Sequence, residues 1–135
     1  MASLWKKIFT VVMWITGVFE AIMGVVIVFC AGSLQSYFAT GILSEPLYLR
    51  ILGMMDLYIG VTYFQIARNP EYYLLLNRRT SYLRLGLSAL FFVEGFFLLE
   101  DRGLRLMYQS LAVFDFSLFV IQTLYIKKSS KERFV

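Results

Sequence analysis

Four carboxylates stand where a carboxylate is hardest to keep. Glu20, Asp56, Glu94 and Asp115 each lie inside one of the four long apolar runs of the chain. A charge at the centre of a bilayer costs about 2.5 kcal/mol or more on insertion scales, so each acid should face protein, water or a partner rather than lipid. Three uses fit such groups. They can be protonated or hydrogen-bonded to Thr16, Gln65, Gln109, Gln122 or tyrosine hydroxyls, as interhelical glue worth about 0.6 kcal/mol per contact. They can line a cavity that fixes the polar head of a lipid-like or quinone-like molecule. They can mark a proton or cation path, although the chain offers no histidine relay and no proline at mid-span to break a helix. Two close carboxylates could also do acid-base work, but the sequence supplies no nucleophile, metal cluster or phosphate loop beside them.

The elements that carry these acids belong to a membrane. With 135 residues, 59% of them hydrophobic and 16% charged, the chain is too apolar for a soluble domain of this size and has room for one domain. Histidine is absent and Cys30 is the single cysteine. That excludes His-ligated haem, His-based zinc sites, Ser-His or Cys-His catalytic pairs and an internal disulfide, and no cofactor of its own is expected. Cys30 reads as a small apolar residue, with lipidation or an intermolecular bridge as the alternative. The net charge of +4 is no signature of nucleic acid, because the basic residues cluster at the ends of the apolar runs, where topology or anionic-lipid contact accounts for them.

The expected architecture is an all-α membrane bundle of four helices, spanning about residues 8–31, 46–67, 82–99 and 104–126. The first run, from Ile8 to Ala31, is longer than the core of a signal peptide and contains Glu20, so it reads as a retained helix. Gly17, Glu20 and Gly24 share one of its faces, and Gly53, Asp56 and Gly60 repeat the same offsets in the second helix. Glycines on both sides of an acid let a neighbouring backbone come close, so Gly17, Gly24, Gly53 and Gly60 are predicted packing positions, with or without a polar site between them.

Short interfacial helices are expected in the first two loops. In the first, Ser33 could cap a turn placing Leu34, Tyr37 and Phe38 on one side, with Gly41 as its stop, before Ser44-Glu45-Pro46 opens the second span. In the second, Asn69 would cap a helix beginning at Pro70, with Tyr72, Tyr73 and Leu76 along one side above Arg78 and Arg79. Thr80 or Ser81 would then cap the third span, with Arg84 snorkelling to the headgroups. Glu100-Asp101-Arg102-Gly103 is a tight turn that makes the third and fourth helices antiparallel neighbours. In the fourth, Gln122 falls on the face of Asp115.

Ten basic residues, Lys6, Lys7, Arg68, Arg78, Arg79, Arg84, Lys127, Lys128, Lys131 and Arg133, fall on one side, against Arg50, Arg102 and Arg105 on the other. Both termini are therefore expected in the cytoplasm. Counted from the helix ends, Glu20 and Asp115 lie near the bilayer centre, and Asp56 and Glu94 in the outer half.

The run Leu49–Tyr73 resembles a group of small bacterial four-helix membrane proteins related to the DoxX-like families. Their second helix reads arginine-leucine-leucine-glycine, a further glycine, then tyrosine and an alanine-arginine-aspartate-proline end. The matching positions are Arg50, Ile51, Leu52, Gly53, Gly60, Tyr63, Ala67, Arg68, Asn69 and Pro70, with Asn69 in place of the usual aspartate. Gly17 and Gly24 are similar in outline, and the likeness extends over Ile15–Arg84. DoxX itself is associated as a small subunit with a quinone-reducing membrane oxidoreductase. The resemblance implies a bacterial plasma-membrane protein and an accessory, non-catalytic role among other membrane subunits. It carries no catalytic motif onto this chain, and none of the four acids falls on the pattern. The alternative expectation is a stand-alone binder of a lipid or quinone, with the four acids around an internal cavity.

Overall fold

The computed structural model describes residues 4–34, 46–98, 100 and 102–132. Its order is α1 (Leu4–Leu34), α2 (Pro46–Arg68), α3 (Leu74–Val93) running into a π-helical turn (Glu94–Leu98), and α4 (Arg102–Glu132). Among the described residues these four helices, α3 taken with its π-helical turn, are each long and apolar enough to cross a membrane. The chain divides into two compact units, Met1–Pro70 and Glu71–Val135.

Local chemistry accounts for several boundaries. Pro46 opens α2, where a residue without an N–H loses nothing because the first turn has no partner for it. At the other end the Asn69 N–H closes a last bond on Gln65 O at 3.2 Å, and Pro70 blocks continuation. Arg68 lies in that last turn, the end of the helix dipole that favours a cation. Within α1 the backbone breaks from helical values at Cys30 (φ −101°, ψ 15°), and one further turn follows it. Ser33 and Leu34 thus belong to α1. The rest of the expected first-loop helix, with Tyr37, Phe38, Gly41 and the Ser44 cap, lies outside the described residues.

The second loop differs from its expectation. Asn69–Tyr73 is a turn in which the Tyr72 and Tyr73 rings meet edge-on at 4.9 Å, and α3 starts at Leu74 without a side-chain cap. Leu74–Arg79 are the opening residues of α3 rather than a separate interfacial helix. Thr80 and Ser81 do not cap a span either, because both lie inside α3. The Thr80 hydroxyl bonds back to Leu76 O at 3.2 Å and Asn77 O at 3.0 Å, which satisfies it within the helix.

In the first unit α1 and α2 run antiparallel with their backbones in contact. A Cβ on Gly24 would lie 2.6 Å from Gly53 O, and one on Gly53 would lie 2.8 Å from Gly24 O. A Cβ on Gly60 would lie 3.0 Å from Gly17 O, and one on Gly17 2.8 Å from the Phe64 ring, which also packs on Trp14 at 5.1 Å. The same spacing on both helices has a geometric cause. Two antiparallel helices that touch at two points need their small residues equally far apart, here about two turns on each. Phe9, Met13, Leu49, Tyr63 and Ile66 complete this core.

Candidate functional site

The second unit holds the densest polar chemistry. Asn77, Thr80, Ser81, Arg84 and Ser88 are all buried on α3, and Asp115 and Gln122 on α4. The spacing of the α3 group, three, one, three and four residues, makes one helical stripe, so a single face of α3 presents five polar side chains to α4. They bond across the hairpin in order. The Gln122 amide donates to Asn77 Oδ1 and to Thr80 Oγ1, both at 2.9 Å. The Ser81 and Thr123 hydroxyls lie 3.1 Å apart, and Ser88 donates to Ala112 O at 2.9 Å. Farther along, Gln109 Nε2 donates to Gly95 O at 3.1 Å, in the π-helical turn that Glu94 opens.

At the middle of this seam the Arg84 guanidinium forms an ion pair and hydrogen bond with Asp115 Oδ1. Arg84 is 4% exposed and Asp115 2%. Arg84 therefore does not snorkel to the headgroups as the sequence suggested. Snorkelling needs a side chain near a helix end, and the early start of α3 puts Arg84 ten residues inside it. Opposite charges at membrane depth pair with each other, which removes the cost of carrying either one alone. The buried partner of Asp115 is thus a cation, not the glutamine or tyrosine expected, and Gln122 serves Asn77 and Thr80 instead.

The other acids are placed differently. Glu94 is half-buried at the start of the π-helical turn, ten residues beyond Arg84 and so about 15 Å from the level of the ion pair. The second unit does not bring Glu94 and Asp115 together. In the first unit Glu20 is 5% exposed between Gly17 and Gly24, and Asp56 is half-buried between Gly53 and Gly60. The glycine contacts fix the register and set Asp56 level with Glu20, at the midpoint of α2, rather than in the outer half. Thr16 bonds to its own helix at Val12 O (2.8 Å). Gln109, another expected partner for the acids, bonds to a backbone carbonyl.

Sequence reasoning singled out neither Asn77 nor Arg84 as a site residue. The signal was present as the recurrence of Asn77, Ser81, Arg84 and Ser88 at helical spacing. It is legible only if α3 is read as continuous from Leu74. Among the described residues, no three Cys, Asp or Glu side chains are grouped so as to hold a metal ion. No protein-family model, no curated protein and no solved structure matches the chain.

Proposed function

We propose that this chain is a non-catalytic accessory subunit of a larger membrane complex, of DoxX-like character, with its four helices bundled in the bilayer and both termini in the cytoplasm. The observation that carries this reading is the Arg84–Asp115 pair, in which an intramembrane acid and a cation join two helices. The glycines at the α1–α2 contact serve the same end, since a side chain at Gly24, Gly53 or Gly60 would force the backbones apart. Small and polar groups thus build the hairpins, and the apolar outer faces, with Val11, Ile15, Tyr58, Val61, Phe97 and Val113 exposed, remain for lipid or neighbouring subunits. The electron-transfer setting of the complex comes from the family resemblance alone. Blue-native electrophoresis after mild solubilisation from the native membrane tests it. The chain should migrate in one band with other subunits, far above its own 15.7 kDa. A band at the size of a lone chain in detergent would refute the proposal.

A second reading, a stand-alone binder of a lipid or quinone, draws on the first unit, where Glu20 and Asp56 stand level on facing helices. It expects Asp56→Asn to change the lipid or quinone co-purifying with the protein while leaving its helical content unaltered. Unchanged occupancy in that variant would sink it.

A further inference from the structure

We propose that Asn77 and Gln122 form a buried site for one hydroxyl group, either a water molecule or the head of a hydroxyl-bearing amphiphile. Both side chains are 0% exposed. Gln122 uses both of its N–H groups, on Asn77 Oδ1 and Thr80 Oγ1, and the Thr80 hydroxyl is directed to backbone carbonyls of its own helix. Two atoms then have no hydrogen-bonding partner among the described residues: Asn77 Nδ2 and Gln122 Oε1. Buried polar groups are nearly always satisfied, by protein or by a bound molecule, because an unmet donor or acceptor retains its full desolvation cost.

The leftover pair does not depend on how the amides are oriented. Rotating both makes Asn77 Nδ2 donate to Gln122 Oε1, turns the Thr80 hydroxyl proton from its own helix to that oxygen, and leaves Asn77 Oδ1 and Gln122 Nε2, again one acceptor and one donor. Rotating only one sets two oxygens or two nitrogens face to face, which is repulsive. In either allowed arrangement the site asks for a group that accepts one hydrogen bond and donates another. A hydroxyl does both. A ketone or ester carbonyl could only accept, and a cation could only donate, so each would leave one amide atom unmet.

The position suits entry from one end of the hairpin. Arg78 and Arg79 directly follow Asn77, and Lys127 and Lys128 lie five and six residues beyond Gln122, all of them exposed. The site is therefore about 8 Å inside the basic end of the α3–α4 hairpin, within reach of the headgroup layer where such cations sit. It is separate from the four acids, and it stands or falls apart from the assignment as an accessory subunit.

Solid-state NMR tests it on the full chain reconstituted with its native lipids, deuterated at carbon and labelled with 15N at asparagine and glutamine. Magnetisation is transferred to the Asn77 and Gln122 side-chain amides from non-protein protons. A correlation at the water frequency alone assigns water. Correlations to C–H protons of an amphiphile, with a matching mass retained in native mass spectrometry, assign its hydroxyl. Either result supports the site, and the Asn77→Leu/Gln122→Leu double variant should lose the signal completely. If that variant does not fold, the wild-type spectrum decides alone. No correlation from either amide to any non-protein proton overturns the proposal, as does a correlation showing the two leftover atoms bonded to protein groups.

Discussion

Replacing Asp115 should damage the protein more than replacing Arg84, and replacing both should repair most of the damage. In the Asp115→Val variant a guanidinium 4% exposed loses the Asp115 carboxylate and keeps its charge, because arginine does not deprotonate in proteins. Removing one partner of a buried pair in this way costs about 3–5 kcal/mol. In Arg84→Met the remaining carboxyl can take up a proton and become neutral, so its cost is that of an unsatisfied buried polar group, about 1–3 kcal/mol. The double variant fills the space with apolar side chains of similar size and leaves no charge behind, and such replacements are neutral or stabilising. It should lie within about 1 kcal/mol of the parent, and at least about 2 kcal/mol above Asp115→Val. Reversible unfolding in mixed micelles, titrated with a denaturing detergent and followed by circular dichroism, measures all four proteins. Two single variants that each unfold within about 0.5 kcal/mol of the parent, with effects that simply add, would refute the buried pair as the link between α3 and α4.

The same titration separates the glycines by their surroundings. Gly53→Ala puts a Cβ 2.8 Å from Gly24 O and should destabilise by about 1–3 kcal/mol, whereas Gly86→Ala meets nothing within 4 Å and should stabilise α3 by about 0.5–1 kcal/mol. Equal effects at the two positions would remove the close α1–α2 contact from the account. Gln109→Leu deprives Gly95 O of its side-chain donor and should cost about 0.5–1.5 kcal/mol, read as a lower unfolding midpoint. For the orientation, single cysteines added at either end in a Cys30→Ala background should react with an impermeant maleimide only after the cells are permeabilised. Labelling of either terminus on intact cells would reverse the topology.

The amino-acid pattern revealed the helices, and the pairing of the third with the fourth, more readily than the polar groups that join them. Four apolar runs of spanning length are visible by composition, and Pro46 and Pro70 mark two boundaries by their missing donors. The glycine repeat around Glu20 and Asp56 marked packing positions, because close approach leaves its mark in residue size, but not that α1 and α2 pack on each other there. The start of α3 was hidden by local signals. Asn69-Pro70 has the form of a helix start, yet Asn69–Tyr73 is a turn; Thr80-Ser81 has the form of a cap, yet packing against α4 carries α3 through it, with Asn77, Thr80, Ser81 and Arg84 all turned to the seam. Propensity is a weak guide where tertiary bonds of this kind compete with it. Reading Arg84 as a boundary charge followed from that misplaced start and concealed the partner of Asp115. The π-helical turn at Glu94–Leu98 has no plain sequence signal. Gly95, whose small size admits the α4 backbone at Gln109, is the nearest to one.

Native mass spectrometry of the protein released gently from its own membrane tests the central claim most directly. An accessory subunit should appear as an assembly of fixed composition that contains this 15.7 kDa chain and at least one different chain. A lone chain, carrying only the mass of a lipid or quinone, would contradict the account and make the protein a stand-alone binder.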